Sequence, residues 1–358
     1  MALARTRSVA LVGVVGRTVE VEVDVVGGLP GLTLVGLPDA ALSEARDRVR
    51  AAVVNSGAKW PGQRITVNLS PASLPKQGSG FDLALATGVL AASGSVPAER
   101  VAELVLLGEL GLDGRVRPVR GVLPSVLAAV QAGFRRVVVP RDNAAEAALV
   151  PGAEVVAVDW LAGLVAVLRG QAPAEVVDAW DVDAASAHGA AAPAGGAPDL
   201  ADVAGQAEGR HAVEIAAAGG HHLLLVGPPG AGKTMLAERL PGLLPPLTRA
   251  QALEVTAVHS VAGTLPPGRP LVTHPPLRAP HHTSSAAAVV GGGSGLARPG
   301  AASLAHHGVL FLDEAPEFGH GVLDALRQPL ESGEVVLDRS RGSVRYPARF
   351  QLVLAANP

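Results

Sequence analysis

The segment Gly227-Pro-Pro-Gly-Ala-Gly-Lys-Thr234 leaves this chain few folds to choose from. It follows a short apolar run, His221-His-Leu-Leu-Leu-Val226, and precedes Met235-Leu-Ala-Glu-Arg-Leu240, which has helical character. Strand, glycine loop and helix in that order turn a G-x-x-x-x-G-K-[ST] match into a phosphate-binding loop. Gly227, Gly230 and Gly232 allow the backbone N–H groups to close around phosphates. Pro228, Pro229 and Ala231 complete the loop, and Met235 follows it into the helix, whose N-terminus adds positive potential. The spacing places Lys233 to reach β- and γ-phosphates and the Thr234 hydroxyl to hold Mg²⁺, so ATP and Mg²⁺ are the expected ligands.

Two further strand ends complete the pattern. Gly308-Val-Leu-Phe-Leu-Asp-Glu314 reads as a buried strand ending in two carboxylates. Asp313 is expected to complete the Mg²⁺ shell and Glu314 to polarise the attacking water. Phe350-Gln-Leu-Val-Leu-Ala-Ala-Asn-Pro358 reads as another strand, ending in Asn357 beside the γ-phosphate. A lone glycine loop is often only a tight turn, but three such elements in this order are not. The ordering resembles that of the AAA+ ATPases.

At 358 residues the chain has room for two domains. Its 48% hydrophobic content and mean hydropathy of +0.33 describe a core-forming protein. The formal net charge of −3 gives no global basic field for nucleic acid, although a motor needs only a local basic pore. Lys59, Lys76 and Lys233 are the only lysines, which makes Lys233 conspicuous among many arginines. With no cysteine, disulfides and thiolate metal sites are excluded within the chain. The N-terminal run Ser8–Val15 is short and followed at once by Arg17 and Glu20, so it reads as a first strand rather than a leader. No apolar stretch is long enough to span a bilayer, and a cytoplasmic protein is expected.

Residues 1–170 read as one α/β unit. Thr18–Val25 alternates as a half-buried strand. Asp39 caps a helix running to about Asn55, with Leu42, Ala45, Val49, Ala52 and Val53 on one face and Gly57 as its stop. Arg64–Leu69, Val101–Leu107, Val116–Val119 and Arg136–Val139 read as strands, with a turn at Gly111–Gly114. Gly80–Ala92 and Leu123–Ala132 read as helices. Residues 171–198 are Ala-, Gly- and Pro-rich and read as a flexible linker. The nucleotide domain occupies 199–358, with a helix at Arg210–Ala218.

Gly36–Val49 and Ile65–Ala84 closely resemble the YifB/ComM family of magnesium chelatase-like AAA+ proteins. So do Gln206, Ala216–His221, Arg278–Ser284, Arg298–Gly300, Ala305–Glu317 and Tyr346–Phe350. The resemblance implies an α/β chain with an N-terminal Lon-protease-like (ribosomal S5 domain 2-like) domain and a C-terminal AAA+ P-loop NTPase domain. In a Lon-type site a serine is activated by a lysine. Here Gly80 stands at the nucleophile position, with Ser79 one place early, and Leu123 stands where the lysine belongs. No catalytic dyad is expected.

His281-His282 and His306-His307 are weak metal candidates, since adjacent side chains diverge in a strand and no third ligand is spaced for them. The resemblance instead puts Pro280–Gly295 in a pore-facing loop, with Val289–Gly295 giving it mobility. Glu331–Arg341 reads as a hairpin near the same pore. His281, His282, Arg339 and Arg341 are the candidate pore contacts to DNA, with Arg345 nearby. The family further implies a ring, a homo-hexamer when complete, acting on branched or single-stranded DNA. Branch migration in transformation is the activity implied. A magnesium chelatase-type ATPase subunit and a protein-remodelling module are the alternatives. The family pattern continues past Asn357 into an arginine finger, a lid and a cysteine-rich segment. The expectation is therefore an incomplete AAA+ domain that binds nucleotide weakly and hydrolyses it poorly.

Overall fold

In the computed structural model, the described residues are 2–36, 40–76, 78–177, 198–266, 268–293, 297–339 and 342–358. The chain divides into two units, residues 1–180 and 181–358.

The first unit is built on an eight-stranded mixed sheet. Its strands run, in spatial order, Val176–Val177, Glu154–Val158, Arg136–Pro140, Val105–Leu106, Ala2–Val12, Val15–Val26, Arg64–Ser70 and Gly31–Val35. Strict alternation in Val15–Val26 puts Val19, Val21, Val23 and Val25 into the core, while the glutamates between them stay half-exposed. The helix Asp82–Ala92 is apolar on every side apart from Asp82 and Thr87, and every one of its residues is buried. A Cβ added at Gly88 would stand 2.7 Å from Val23 Cγ2, so the glycine lets the helix settle directly on the sheet. The helix Ala40–Asn55 covers it with Ala45, Val49, Ala52 and Val53. The expected cap Asp39 lies outside the described residues, as does the side chain of Leu42.

Two expectations need correction here. Val101–Leu107 is not one strand: Pro97 opens a single helical turn, Ala98–Val101, leaving only Val105–Leu106 in the sheet. Glu109–Leu110 is the segment that pairs with Val116–Arg117 around the Gly111–Gly114 turn. The expected linker also begins too early, because Val176 and Val177 pair with Val156 and Val155. Its remaining residues 178–197 lie outside the described residues.

The second unit centres on a four-stranded parallel sheet, ordered Leu223–Val226, Gln351–Ala356, Val309–Leu312 and Leu277–Arg278. Val309–Leu312 is wholly buried. Val309 and Phe311 pack with Val213, Leu236 and Leu240, while Leu310 and Leu312 pack with Val289, Ala302 and Phe318. A continuous apolar run is what a strand covered on both faces requires. Parallel strands leave all their C-terminal ends on one side, where open α/β sheets bind ligands. A separate hairpin, Glu334–Arg339 with Gly342–Pro347, is anchored by buried Tyr346, whose hydroxyl donates to Ala297 O at 2.5 Å. No helix among the described residues is long and apolar enough to cross a membrane.

Candidate functional site

Three neighbouring strands deliver their ends to one cavity of about 410 Å³. It is lined by residues 229–235, Asp313, Glu314, Ala355, Ala356 and Asn357. Gly230 and Gly232 hold φ of +79° and +82°, backbone that side chains rarely adopt, so the glycines are what allow the loop to curl. The helix after the loop is short, Lys233–Ala237, and a further turn at Leu240–Leu243 takes Pro241 into its first positions. Gln206 braces the loop from outside, its Nε2 donating to Ala231 O at 2.9 Å from a left-handed backbone, φ +51°.

The expected residues converge. Lys233 Nζ donates to Gly227 O at 2.7 Å, Pro228 O at 3.0 Å and Asn357 Oδ1 at 2.9 Å. Thr234 Oγ1 donates to Asp313 Oδ2 at 2.7 Å. The Glu314 N–H donates to Asp313 Oδ1 at 3.0 Å. Glu314 itself sits at φ +52°, and its Oε2 lies 2.7 Å from His282 Nδ1. Thus a cation, a hydroxyl and two carboxylates separated by up to 81 positions in sequence share one polar concavity. The hydroxyl and carboxylate oxygens of Thr234 and Asp313 are the hard donors that Mg²⁺ prefers, and they already meet within hydrogen-bond distance.

The expected pore contacts are less convergent. Neither His281 nor His282 lines the cavity, although His282 touches Glu314. The Arg345 side chain is 71% exposed and, among the described residues, its ion-pair contact is Glu334, at 3.5 Å. Arg341, the Arg339 side chain and Ser294–Leu296 lie outside the described residues. Two of these, Ser294 and Gly295, end the segment expected to be mobile; its described part, Val289–Gly293, closes the helical turn Ala286–Val289 and forms the strand Gly291–Gly292.

The histidine pairs overturn one argument. Both lie in turns rather than strands, and their rings meet at a tilt, with centroids 4.1 Å apart in His281/His282 and 4.0 Å apart in His306/His307. His307 has φ +54°, which turns its ring onto its neighbour's side. A third group is present too. Glu254 Oε2 lies 3.2 Å from His306 Nε2 and 3.1 Å from His307 Nε2, a convergence no sequence spacing signals. The protonation pattern nevertheless opposes a metal. His306 Nδ1 accepts the Arg349 N–H at 3.0 Å, so Nε2 carries the ring proton and donates it to Glu254. Burial, then the neighbouring His307, lowers the His306 pKa to about 4, which keeps the ring neutral. The cluster is a hydrogen-bonded tie at the base of the Val309–Leu312 strand.

In the first unit the Lon-like positions are internally satisfied. Ser79 Oγ makes a short hydrogen bond to Glu109, and Lys76, fully buried, donates to Gly36 O at 2.9 Å and to Pro71 O. Leu123 is buried, as an apolar residue in a lysine's place should be.

A parallel sheet with a glycine loop at one strand end, Asp-Glu at another and Asn at a third defines an AAA+ P-loop protein. Comparison with known proteins agrees. The family profile "Magnesium chelatase, subunit ChlI" matches residues 199–358, and "Subunit ChlI of Mg-chelatase" matches 21–143. An uncharacterised protein of Mycobacterium tuberculosis is 59% identical over 359 residues, covering all of this chain and 69% of that protein. YifB of Escherichia coli is 46% identical, with 68% of it covered, and competence protein ComM of Haemophilus influenzae is 46% identical, with 69% covered. A Lon protease of Trichlorobacter lovleyi is 26% identical over 135 residues, 36% of this chain and 16% of that enzyme. The chain belongs to the YifB/ComM family of magnesium chelatase-like AAA+ proteins.

Proposed function

We propose that the protein binds ATP with Mg²⁺ at the 227–235 loop, hydrolyses it, and uses the energy to remodel branched DNA as a cytoplasmic hexameric ring. The observation that carries the ATPase part is the meeting of Lys233, Thr234, Asp313, Glu314 and Asn357 at one cavity. The DNA part draws on likeness to a protein named for competence.

In this reading Lys233 exchanges its carbonyl contacts for β- and γ-phosphate oxygens, a stronger, charge-assisted partnership. Asn357, tethered to the same ammonium, lies beside the transferred phosphoryl group. Thr234 and Asp313 would hold Mg²⁺, which would supply neutralisation of the phosphate charge. Glu314, next to Asp313 but free of the Thr234 pair, orients the attacking water and accepts its proton. The first unit contributes a scaffold without hydrolytic function of its own. A magnesium chelatase-type ATPase subunit is the second reading, favoured by the matching family profiles.

The test is ATP turnover with and without four-way-junction DNA, with Lys233→Ala as control. DNA-stimulated turnover that disappears with Lys233 is expected. Turnover indifferent to DNA, with capture of a chelatase subunit instead, moves the assignment to the second reading.

A further inference from the structure

We propose that the first unit carries a self-association surface of its own: Leu29, at the tip of one loop, seats in a cavity near the opposite edge of the sheet in a second copy of this chain. This deepens the ring reading above and rests on it. Leu29 is 90% exposed, more than any other large apolar side chain among the described residues. It stands in Gly27-Gly28-Leu29-Pro30-Gly31, between the strands Val15–Val26 and Gly31–Val35. Proline fixes its own φ and holds the residue before it extended, so the leucine is presented on a restricted backbone and little ordering is lost when it binds. Arg64 flanks the loop, its Cβ 3.6 Å from where a Cβ of Gly28 would stand. It is exposed and makes no ion pair among the described residues.

The cavity holds about 260 Å³. That is below the roughly 300–1,000 Å³ of small-molecule sites and suits one side chain. Its wall is Leu104, Val138, Val156, Leu164 and Leu168, all buried, and the partly exposed Ala174 stands at its mouth. Among the charged residues there, Arg136 is held by Glu154 at 3.0 Å, and the Arg100 guanidinium lies 3.2 Å from where a Cβ of Gly170 would stand. Glu99 and Glu103 make no ion pair among the described residues. An apolar seat rimmed by two free carboxylates matches an apolar knob flanked by a free guanidinium.

Position decides the kind of contact. The loop leads into the strand at one edge of the eight-stranded sheet, whereas Val138 and Val156 lie on the third and second strands from the other edge. With neighbouring strands about 4.8 Å apart, knob and cavity are separated by roughly 25–30 Å, so Leu29 does not reach the cavity of its own chain. Knob and cavity are different surfaces, which makes the contact heterologous. Each copy fills one neighbour's cavity and leaves its own open to the next, and such a series closes as a ring.

The chain has no cysteine, so an introduced thiol reports its own position. Leu29→Cys and Ala174→Cys are made in separate preparations of the full chain. Each is treated with a short bis-maleimide, alone and as a mixture, with ATP and Mg²⁺ present. A cross-linked dimer in the mixture, absent from either protein alone, is expected. No mixed dimer overturns the proposal, and so does cross-linking of one protein with itself, the mark of an isologous contact. Sedimentation of variants without added thiols gives a second reading. Leu29→Asp, at an exposed loop position, should weaken self-association at least about tenfold. Arg64→Glu should also weaken it, and Glu103→Arg in the same chain should restore it. A Leu29→Asp chain that assembles as wild type overturns the proposal and leaves the cavity to a segment of another protein. Failure of the ring reading looks different: wild type then sediments as a monomer with ATP and Mg²⁺ present, whereas assembly without the mixed cross-link strikes only the contact proposed here.

Discussion

In the first unit Asp82 is fully buried at the start of an all-buried helix, and Arg48 answers it through Nε at 2.9 Å and Nη2 at 3.2 Å. In the second unit Asp313 ends a buried strand with its carboxylate only half covered, beside Thr234 and an open cavity. The contrast extends to each unit's other polar groups. Ser79 is engaged by Glu109 and Lys76 by two carbonyls, whereas Lys233 lies at the cavity wall on contacts that phosphate can replace. The sheets differ likewise. Leu224 and Val226, on the edge strand of the second sheet, are 58% and 62% exposed, while Val105 and Leu106, on a central strand of the first sheet, are fully buried. Polar groups answered inside a core stabilise and orient; polar groups gathered at strand ends remain available to a ligand.

The largest expected effect tests that distinction directly. Glu314→Gln should lower ATP turnover at least about 100-fold, the scale of losing a general base. Ser79→Ala should leave it within about twofold. Steady-state kinetics on both variants decide the matter, and a Ser79 effect rivalling that of Glu314 would break the comparison.

Acid should also separate the units. Burial, then Arg278, lowers the His259 pKa to about 4, and His306 lies at about 4 as well. Their unfolded forms bind protons below about 6.5, so between there and pH 4 the unfolded state takes up more protons. Stability of the second unit is therefore complete above about 6.5 and is lost as pH falls, by on the order of 3 kcal/mol per histidine. Asp82 acts in the opposite sense. Burial raises its pKa to about 6 despite Arg48, so the folded form binds the extra proton, and the first unit gains stability as pH falls from about 6 toward 4. Thermal unfolding followed across this range should show two transitions drifting in opposite directions.

A smaller effect comes from Gly308→Ala. The new Cβ would stand 2.1 Å from Pro276 O, backbone that cannot step aside, and overpacking of this kind costs about 1–3 kcal/mol. Denaturant unfolding should register the loss in the second unit alone. Smallest is the stability change in Ser79→Ala itself, about 0.5–1.5 kcal/mol for one internal hydrogen bond, confined to the first unit.

Local chemistry made much of this legible in advance. The phosphate loop, the Asp313-Glu314 pair and Asn357 each sit at the end of an apolar run, and periodicity alone exposed Thr18–Val25 and the helix ending at Asn55. Short elements were harder to see. Ala98–Val101 and Val105–Leu106 are too brief for any periodicity, and Val176–Val177 joins the sheet only because a partner strand lies alongside.

What the sequence by itself determined is therefore the glycine loop, the strand-end carboxylates and the order in which they come, because glycine spacing and strand-end residues are covalent, local facts. Only the tertiary structure decided which distant groups meet. Glu254 reaches the turn of His306 and His307 from the helix Arg249–Ala262, His282 reaches Glu314 from the turn that follows a neighbouring strand, and Arg48 reaches Asp82 across a helix pair. Each of these contacts depends on how elements pack in three dimensions, and packing is set by side-chain shape and burial over the whole unit rather than by any spacing along the chain.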